Sequence, residues 1–148
     1  LAYRDFDQTC AYLPHSSRDR KDNYNTRTGQ YALWTPAWFY AKTTDDGKIA
    51  NPLVANLIGW FDGTLEAPGD LDVVELVIQA GDVPLCAMQA IRPDGDLSPI
   101  TSYAPENPCN GYYEFVKTGQ TDYVSCSDST DCNEAEGEQC RYGFCEAY

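Results

Sequence analysis

The clearest helical pattern of hydrophobic positions lies at residues 52–61. Apolar residues recur there at spacings of three and four, at Leu53, Val54, Leu57, Ile58 and Phe61. Asn51 is a good N-cap and Pro52 suits the first helical position. We therefore predict a helix over 52–61 that Gly63 ends, although the glycine at position 59 weakens it.

Residues 71–80 carry signals for both a helix and a strand. Asp70 and Gly81 are suited to begin and end a helix. Four β-branched residues lie between them, and these prefer strands: Val73, Val74, Val77 and Ile78. We predict a strand here.

Two further patterns predict β-hairpins. Residues 85–91 and 97–103 flank a turn sequence with Pro, Asp and Gly, and the alternating residues 112–117 are followed by 121–126 after Thr-Gly-Gln. Together with the strand at 71–80, these segments predict an α+β fold with one helix and an antiparallel sheet of four to five strands.

The first forty residues are less regular. Residues 1–29 read as a polar arm, and residues 30–40 are rich in aromatic side chains, including Trp34 and Trp38. Pro36 rules out one uninterrupted central strand. The segment is either two short strands broken at Pro36 or a helix capped by Thr35.

The last segment, 126–148, is too polar and short to build a core of its own. It holds four of the seven cysteines, with the spacing C-x5-C-x7-C-x4-C. Such spacing in a polar segment indicates disulfide bonds, which persist in oxidising compartments. We predict a compact body at 1–125 with a disulfide-stapled knob at 126–148, in a secreted, extracellular protein. The chain begins with Leu1 rather than Met, as processed chains do.

Charge narrows the choice of partner. The chain has 148 residues, a net charge of −13 and a pI near 4.2. Residues 1–50 carry +1 and residues 51–148 carry −14. Such an acidic surface repels phosphate backbones and anionic lipids, so nucleic acid and membranes are not expected as partners. A local basic patch, Arg18, Arg20, Lys21 and Arg27, is interpreted as a solvated loop, with an anion site as the alternative.

The knob resembles the short C-x5-C-x5-C-x4-C modules of many secreted proteins, with Asp131 before Cys132 and Gly143 shortly before Cys145. Its middle spacing is two residues longer. By size, charge and cysteine content the chain is similar to small secreted cysteine-rich proteins, including fungal effectors. The resemblance implies the alternate pairing Cys126–Cys140 and Cys132–Cys145, whereas spacing alone leaves three connectivities open. A zinc site is the alternative, although only the pair Cys140 and Cys145 fits the spacing usual for zinc ligands.

Three cysteines remain outside the knob. Cys10 and Cys109 lie in polar or proline-rich segments and are predicted to pair. Cys86 lies among apolar residues and is predicted to be a buried free thiol. Its alternatives are a bond between chains and a catalytic thiol served by His15, the only histidine.

Other candidate chemistry has a plainer interpretation. Glu75 and Glu114 have apolar neighbours and are the candidate acids of a glycoside hydrolase. The alternation of apolar and polar residues around them instead predicts that each is the solvent-facing residue of a half-buried strand. Calcium is an alternative at Asp94 and Asp96 and at the acidic knob residues, which are interpreted as solvated turns. We therefore expect no cofactor and no metal centre.

The expected function is binding rather than catalysis. The resemblance implies a secreted, effector-like protein that binds an extracellular or host protein through a few aromatic anchors. The candidate anchors are Trp34, Trp38, Tyr112, Tyr142 and Phe144. A carbohydrate-binding module that stacks exposed aromatics on sugar rings is the first alternative, and a small acid-stable glycoside hydrolase is the second.

Overall fold

The computed structural model describes residues 1–18, 21–61, 64–96 and 98–147. Within these ranges the helices are α1 (Tyr24–Arg27), α2 (Pro52–Phe61), α3 (Val73–Ala80) and α4 (Asn110–Thr118). Short 3-10 turns cover Leu85–Ala87, Ser129–Asp131 and Glu134–Glu136. The strands are β1 (Ala90–Ile91), β2 (Thr101–Ser102), β3 (Glu138–Arg141) and β4 (Phe144–Ala147). Four residues named in the predictions lie outside these ranges: Arg20 of the basic patch, Gly63 at the end of the predicted helix, Leu97 of the first hairpin and Tyr148 of the knob.

The strands form two small sheets. Strand β1 pairs antiparallel with β2, and β3 pairs antiparallel with β4. The α+β class is therefore confirmed, but the single sheet of four to five strands is wrong for the residues described. Two of the segments predicted as strands are helices instead.

The core lies between α3, α4 and the 3-10 turn at Leu85–Ala87. Ile78, Ala87, Cys109 and Tyr113 are fully buried there. Half-buried apolar residues pack around them, namely Val74, Val83, Cys86, Tyr112 and Val116. Helix packing, rather than a sheet, therefore excludes water from the centre of the molecule.

Helix α2 is confirmed over the predicted residues. The backbone N–H of Leu53 donates to Oδ1 of Asn51 at 3.0 Å, so Asn51 caps the helix. The helix begins at Pro52, whose missing N–H costs nothing in the first turn.

The strand predicted at 71–80 is wrong, because this segment is helix α3. Oδ1 of Asp72 accepts from the N–H of Glu75 at 2.9 Å, and Gly81 ends the helix at φ 100°. Val74 and Ile78 are one helical turn apart and both face the core. Burial at helical spacing outweighs the modest strand preference of β-branched residues.

The second predicted hairpin is also wrong, because residues 112–117 lie in helix α4. Cys109, Tyr113 and Val116 follow the helical spacing and meet the core together. Gly119 ends the helix at φ 75°. Of residues 121–126, Ser125 forms an isolated antiparallel bridge with Phe144.

The first hairpin is present but short. Ala90 pairs with Ser102 and Ile91 with Thr101. The segment at 85–91 begins as a 3-10 turn rather than a strand. Residues 31–40 form neither the two strands nor the helix considered for them; they are irregular throughout.

Three disulfides staple the chain. The structure joins Cys126 to Cys140 and Cys132 to Cys145, the pairing that the resemblance implies. The predicted Cys10–Cys109 bond is wrong. Cys109 pairs instead with Cys86, and Cys10 is an exposed thiol. Cys109 follows a proline-rich segment, but it lies at the N-cap position of α4 inside the core, where Cys86 packs against it.

The knob packs tightly on the body. Its hairpin has the register Cys140↔Cys145, and Cys145 and Glu146 of β4 are buried. Both oxygens of Glu146 bond to the start of α4. The division of the chain at residue 126 stays a prediction, but the two parts share a buried surface.

None of the helices in the described part of the chain is both long and apolar enough to cross a bilayer.

Candidate functional site

Helix α4 meets the terminal hairpin closely because residue 111 has no side chain. A Cβ on Gly111 would lie 2.9 Å from the Cβ atoms of both Phe144 and Tyr123. Real Cβ atoms do not approach so closely, so glycine is needed at this crossing. The aromatic side chains of the hairpin can therefore reach those of the helix.

Glu146 fixes the hairpin to the first turn of α4. Its Oε1 accepts from the N–H of Gly111 at 2.8 Å, and its Oε2 accepts from Nδ2 of Asn110 at 2.9 Å. Backbone N–H groups at the start of a helix lack partners within the helix, and a carboxylate is favoured there. Because Glu146 is only 3% exposed, these bonds are protected from water.

Arg27 anchors α4 from the other side. Only 1% of it is exposed, and it donates to Ala87 O at 2.8 Å, Asn110 Oδ1 at 2.7 Å and Glu114 Oε1 at 3.2 Å. Its guanidinium carbon lies 4.9 Å from the centre of the Tyr113 ring. The sequence placed Arg27 in a solvated basic patch, which is wrong: the residue is buried and pairs with the half-buried carboxylate of Glu114.

Four aromatic side chains line the junction of α4 with the terminal hairpin, and we call them the aromatic strip. Tyr112 stacks on Tyr142 with ring centres 5.8 Å apart and planes at 15°. Phe115 lies 5.7 Å from Phe144. Residues 112 and 115 are neighbours on the helix surface, and residues 142 and 144 are two apart along the hairpin. Tyr142 and Phe115 are about half exposed, at 45% and 50%.

An acidic edge borders the strip. The hydroxyl of Tyr112 donates to Oδ2 of Asp72 at 2.6 Å. Burial, the hydrogen bond with Asp72 and the negative charges of Asp72 and Glu75 raise the pKa of Tyr112 above its usual range. The Tyr112 ring therefore stays neutral, and its surroundings favour positive charge.

Tyr123 lies on the buried side of the same junction. Burial, followed by the nearby charges of Glu146 and Glu114, raises its pKa to about 12. Deprotonation of this phenol would place a third negative charge near two carboxylates.

The structure thus brings Tyr112, Tyr142 and Phe144 together and places the other two predicted anchors elsewhere. Trp34 is half-buried beneath the guanidinium of Arg92, at 5.4 Å. Trp38 is 55% exposed, and its Nε1 approaches Oδ1 of Asp96 at 3.5 Å. The two tryptophans belong to the irregular segment 31–40.

Sequence reasoning missed Phe115, Arg27 and Glu146. Phe115 lies three residues after Tyr112, so a helical interpretation of this segment would have placed both rings on one face. Arg27 and Glu146 carry no such signal, because their roles depend on contacts with a residue far along the chain. Both bond to Asn110, which lies 83 positions from Arg27 and 36 positions from Glu146.

The carboxylates considered for catalysis hold local structure. Glu114 pairs with buried Arg27, and Oε1 of Glu75 accepts from Nε2 of Gln79 at 2.7 Å. Both residues lie on helices and are half-buried, so their expected place as solvent-facing strand residues is wrong.

Residues considered for calcium binding and for a catalytic thiol also have structural roles. Asp96 accepts from Oγ1 of Thr35 at 2.7 Å, and Asp128 caps the turn at Ser129–Asp131. The sulfurs of Cys126, Cys132 and Cys145 lie within 4.8 Å of one another, but all three are in disulfides. Cys86 is also disulfide-bonded, which removes the catalytic thiol proposed with His15.

No family model, curated protein or solved structure matches this chain.

Proposed function

We propose that this chain is a secreted, effector-like binding protein whose aromatic strip recognises an arginine-bearing segment of an extracellular or host protein. The observation that carries the proposal is the half-exposed Tyr112–Tyr142 stack with the carboxylates of Asp72 and Glu75 at its edge. Three disulfides support an oxidising compartment.

The geometry of the strip suits a guanidinium group. Arginine side chains stack on aromatic faces and donate hydrogen bonds to carboxylates in the same plane. The exposed ring of Tyr142 offers such a face, and the acidic edge offers the acceptors. Rigid aromatic residues also lose little conformational entropy on binding, which is why they dominate binding hot spots.

The charge of the whole chain favours the same partner. A net charge of −13 raises the local concentration of cationic segments and speeds their association at low salt. The hydrogen-bonded hydroxyl of Tyr112 and the disulfides of the hairpin hold the strip in place before binding. Preorganisation of this kind lowers the entropic cost of association.

The test uses a short unstructured peptide containing several arginines, and a second peptide with citrulline in place of each arginine. Citrulline keeps the shape but removes the charge. Binding is measured by nuclear magnetic resonance titration of the isotopically labelled protein. We expect the arginine peptide to shift the signals of Tyr112 and Tyr142, and the citrulline peptide to have at least about tenfold lower affinity.

Two variants of the same kind locate the interaction. Tyr142→Ala removes half of the stack, whereas Tyr40→Ala removes a tyrosine that is 90% exposed outside the strip. We expect only Tyr142→Ala to weaken binding of the arginine peptide. Equal effects of the two variants, or equal binding of the two peptides, would refute the proposed site.

A further inference from the structure

A groove of about 780 Å³ lies away from the aromatic strip, between residues 28–32 and the β1–β2 hairpin. The N-terminal arm supplies its far wall through Asp5, Asp7 and Gln8. Gln8 holds this wall in place, because its Nε2 donates to the Gln30 carbonyl at 2.6 Å and its Oε1 accepts from the N–H of Asp5 at 3.0 Å. The volume falls within the range of ordinary ligand pockets.

Arg92 forms a rigid part of the lining. Its guanidinium donates to the carbonyls of Ser98 and Ala32 and covers the Trp34 ring. The Nε of Arg92 and the Nε1 of Trp34 are both buried and have no hydrogen-bond partner in the protein. Because both atoms are buried, a ligand in the groove does not reach them; Arg92 contributes to the lining a positive charge that its bonds to the two carbonyls hold in place.

The remaining lining combines polar and small apolar groups. Carboxylates, amides and hydroxyls come from Asp5, Asp7, Gln30, Gln89, Thr101 and Ser102. Ala90, Pro99 and Ile100 add apolar contact surface. Such a lining matches a ligand with many hydroxyl groups and apolar C–H faces, since the carboxylates accept from hydroxyls while Arg92 and the amides donate to them. Two carboxylates against one guanidinium disfavour an anionic ligand.

The β1–β2 hairpin offers little to an extended peptide. Peptides that bind by adding a strand gain affinity from main-chain hydrogen bonds along a sheet edge. Here each strand is only two residues long. Side chains, rather than a backbone edge, make up the recognition surface.

From these features we infer that the groove is a second binding site, and that it takes a neutral oligosaccharide. This site is independent of the aromatic strip and of its proposed partner. Residues 28–32, the arm and the hairpin all contribute to it, so it requires the folded chain.

The probes are four neutral oligosaccharides, the hexamers of cellulose, chitin, laminarin and xylan, titrated into the isotopically labelled protein. We expect at least one to shift the amide signals of residues 28–32 and 89–92. Ser102→Trp, at an exposed strand position, fills the groove and should lower that affinity at least about tenfold, or about 1.4 kcal/mol. Ser127→Trp, on an exposed serine of the knob, is the matched control and should leave the affinity unchanged.

Two further variants test the site independently of the tryptophan substitution. Gln30→Ala removes a lining side chain without adding bulk, and it should weaken binding even if the tryptophan variant fails to fold. Tyr142→Ala should leave sugar binding intact, which separates this site from the aromatic strip. The inference is overturned if no oligosaccharide shifts the groove signals, or if Ser102→Trp and Gln30→Ala both fold and bind like the parent. It is equally overturned if a displayed peptide library, but no sugar, yields a ligand that Ser102→Trp blocks.

Discussion

Replacing Arg27 with Met should strongly destabilise the fold, although the Met side chain nearly fills the space that Arg27 occupies. Arg27 is 1% exposed and makes three hydrogen bonds, to Ala87, Asn110 and Glu114. Met makes none of them. The substitution therefore tests the polar network with little contribution from an empty cavity.

The expected magnitude follows from what is left behind. The side chain of Glu114 is 15% exposed, and it would lose its cation while keeping a hydrogen bond from Thr121 at 3.2 Å. The carbonyl of Ala87, a fully buried residue, would lose the bond from Nε of Arg27. Removing one partner of a buried ion pair costs about 3 to 5 kcal/mol. That is a large part of the roughly 5 to 15 kcal/mol typical of a whole domain.

The assay is urea unfolding at neutral pH, followed by circular dichroism and analysed by linear extrapolation. Arg4→Met, at an exposed arginine, is the matched control and should change the free energy of unfolding by less than about 0.5 kcal/mol. In a double-mutant cycle, Glu114→Gln should relieve part of the damage in Arg27→Met, with a coupling energy of about 1 to 3 kcal/mol.

The result that would refute this reasoning is a cost below about 1 kcal/mol for Arg27→Met, the size of one ordinary hydrogen bond. Additive effects at residues 27 and 114 would refute the pairing itself, even if the single substitution were costly.

Three further predictions concern the same junction and the disulfides. Gly111→Ala should lower the free energy of unfolding in urea by about 1 to 3 kcal/mol through overpacking, offset in part by about 1 kcal/mol of helix propensity. Unchanged stability would mean that the hairpin does not approach α4 so closely. Because the pKa of Tyr123 is raised from 10.0 to about 12, its contribution to stability is fully present below about pH 10 and is lost as the pH rises towards 12. Tyr123→Phe should flatten that fall in the unfolding free energy, and equal slopes would contradict the shift. Alkylation of the native protein, followed by peptide mass mapping, should modify Cys10 and leave Cys86 and Cys109 joined; a labelled Cys86 would restore the pairing predicted from the sequence.

Local signals predicted helix α2 correctly because they agreed with one another. Asn51, Pro52 and the apolar spacing all indicate a helix that begins at the same place, and the cap forms as expected. In α3 the signals conflicted. The β-branched residues favoured a strand, whereas Asp70 and Gly81 favoured a helix. The core selects the helix, and its cap is Asp72 rather than Asp70.

The candidate site divides in the same way. The sequence named Tyr112, Tyr142 and Phe144 as anchors, but from their residue type rather than from their mutual position. In a strand, Tyr112 and Phe115 would lie on opposite faces, because side chains alternate along it. As a helix, residues 112–117 set Tyr112 and Phe115 side by side against the hairpin.

The sequence by itself determined the properties that depend on residue type and local spacing: the acidic charge, the cysteine-rich terminal segment and the capped helix at Pro52–Phe61. Only the tertiary structure decided which cysteine joins Cys109, why Arg27 is buried, and how α4 meets the hairpin. These features depend on residues far apart in the chain. Their free energy comes from burial and from partners that exist only once the chain has folded.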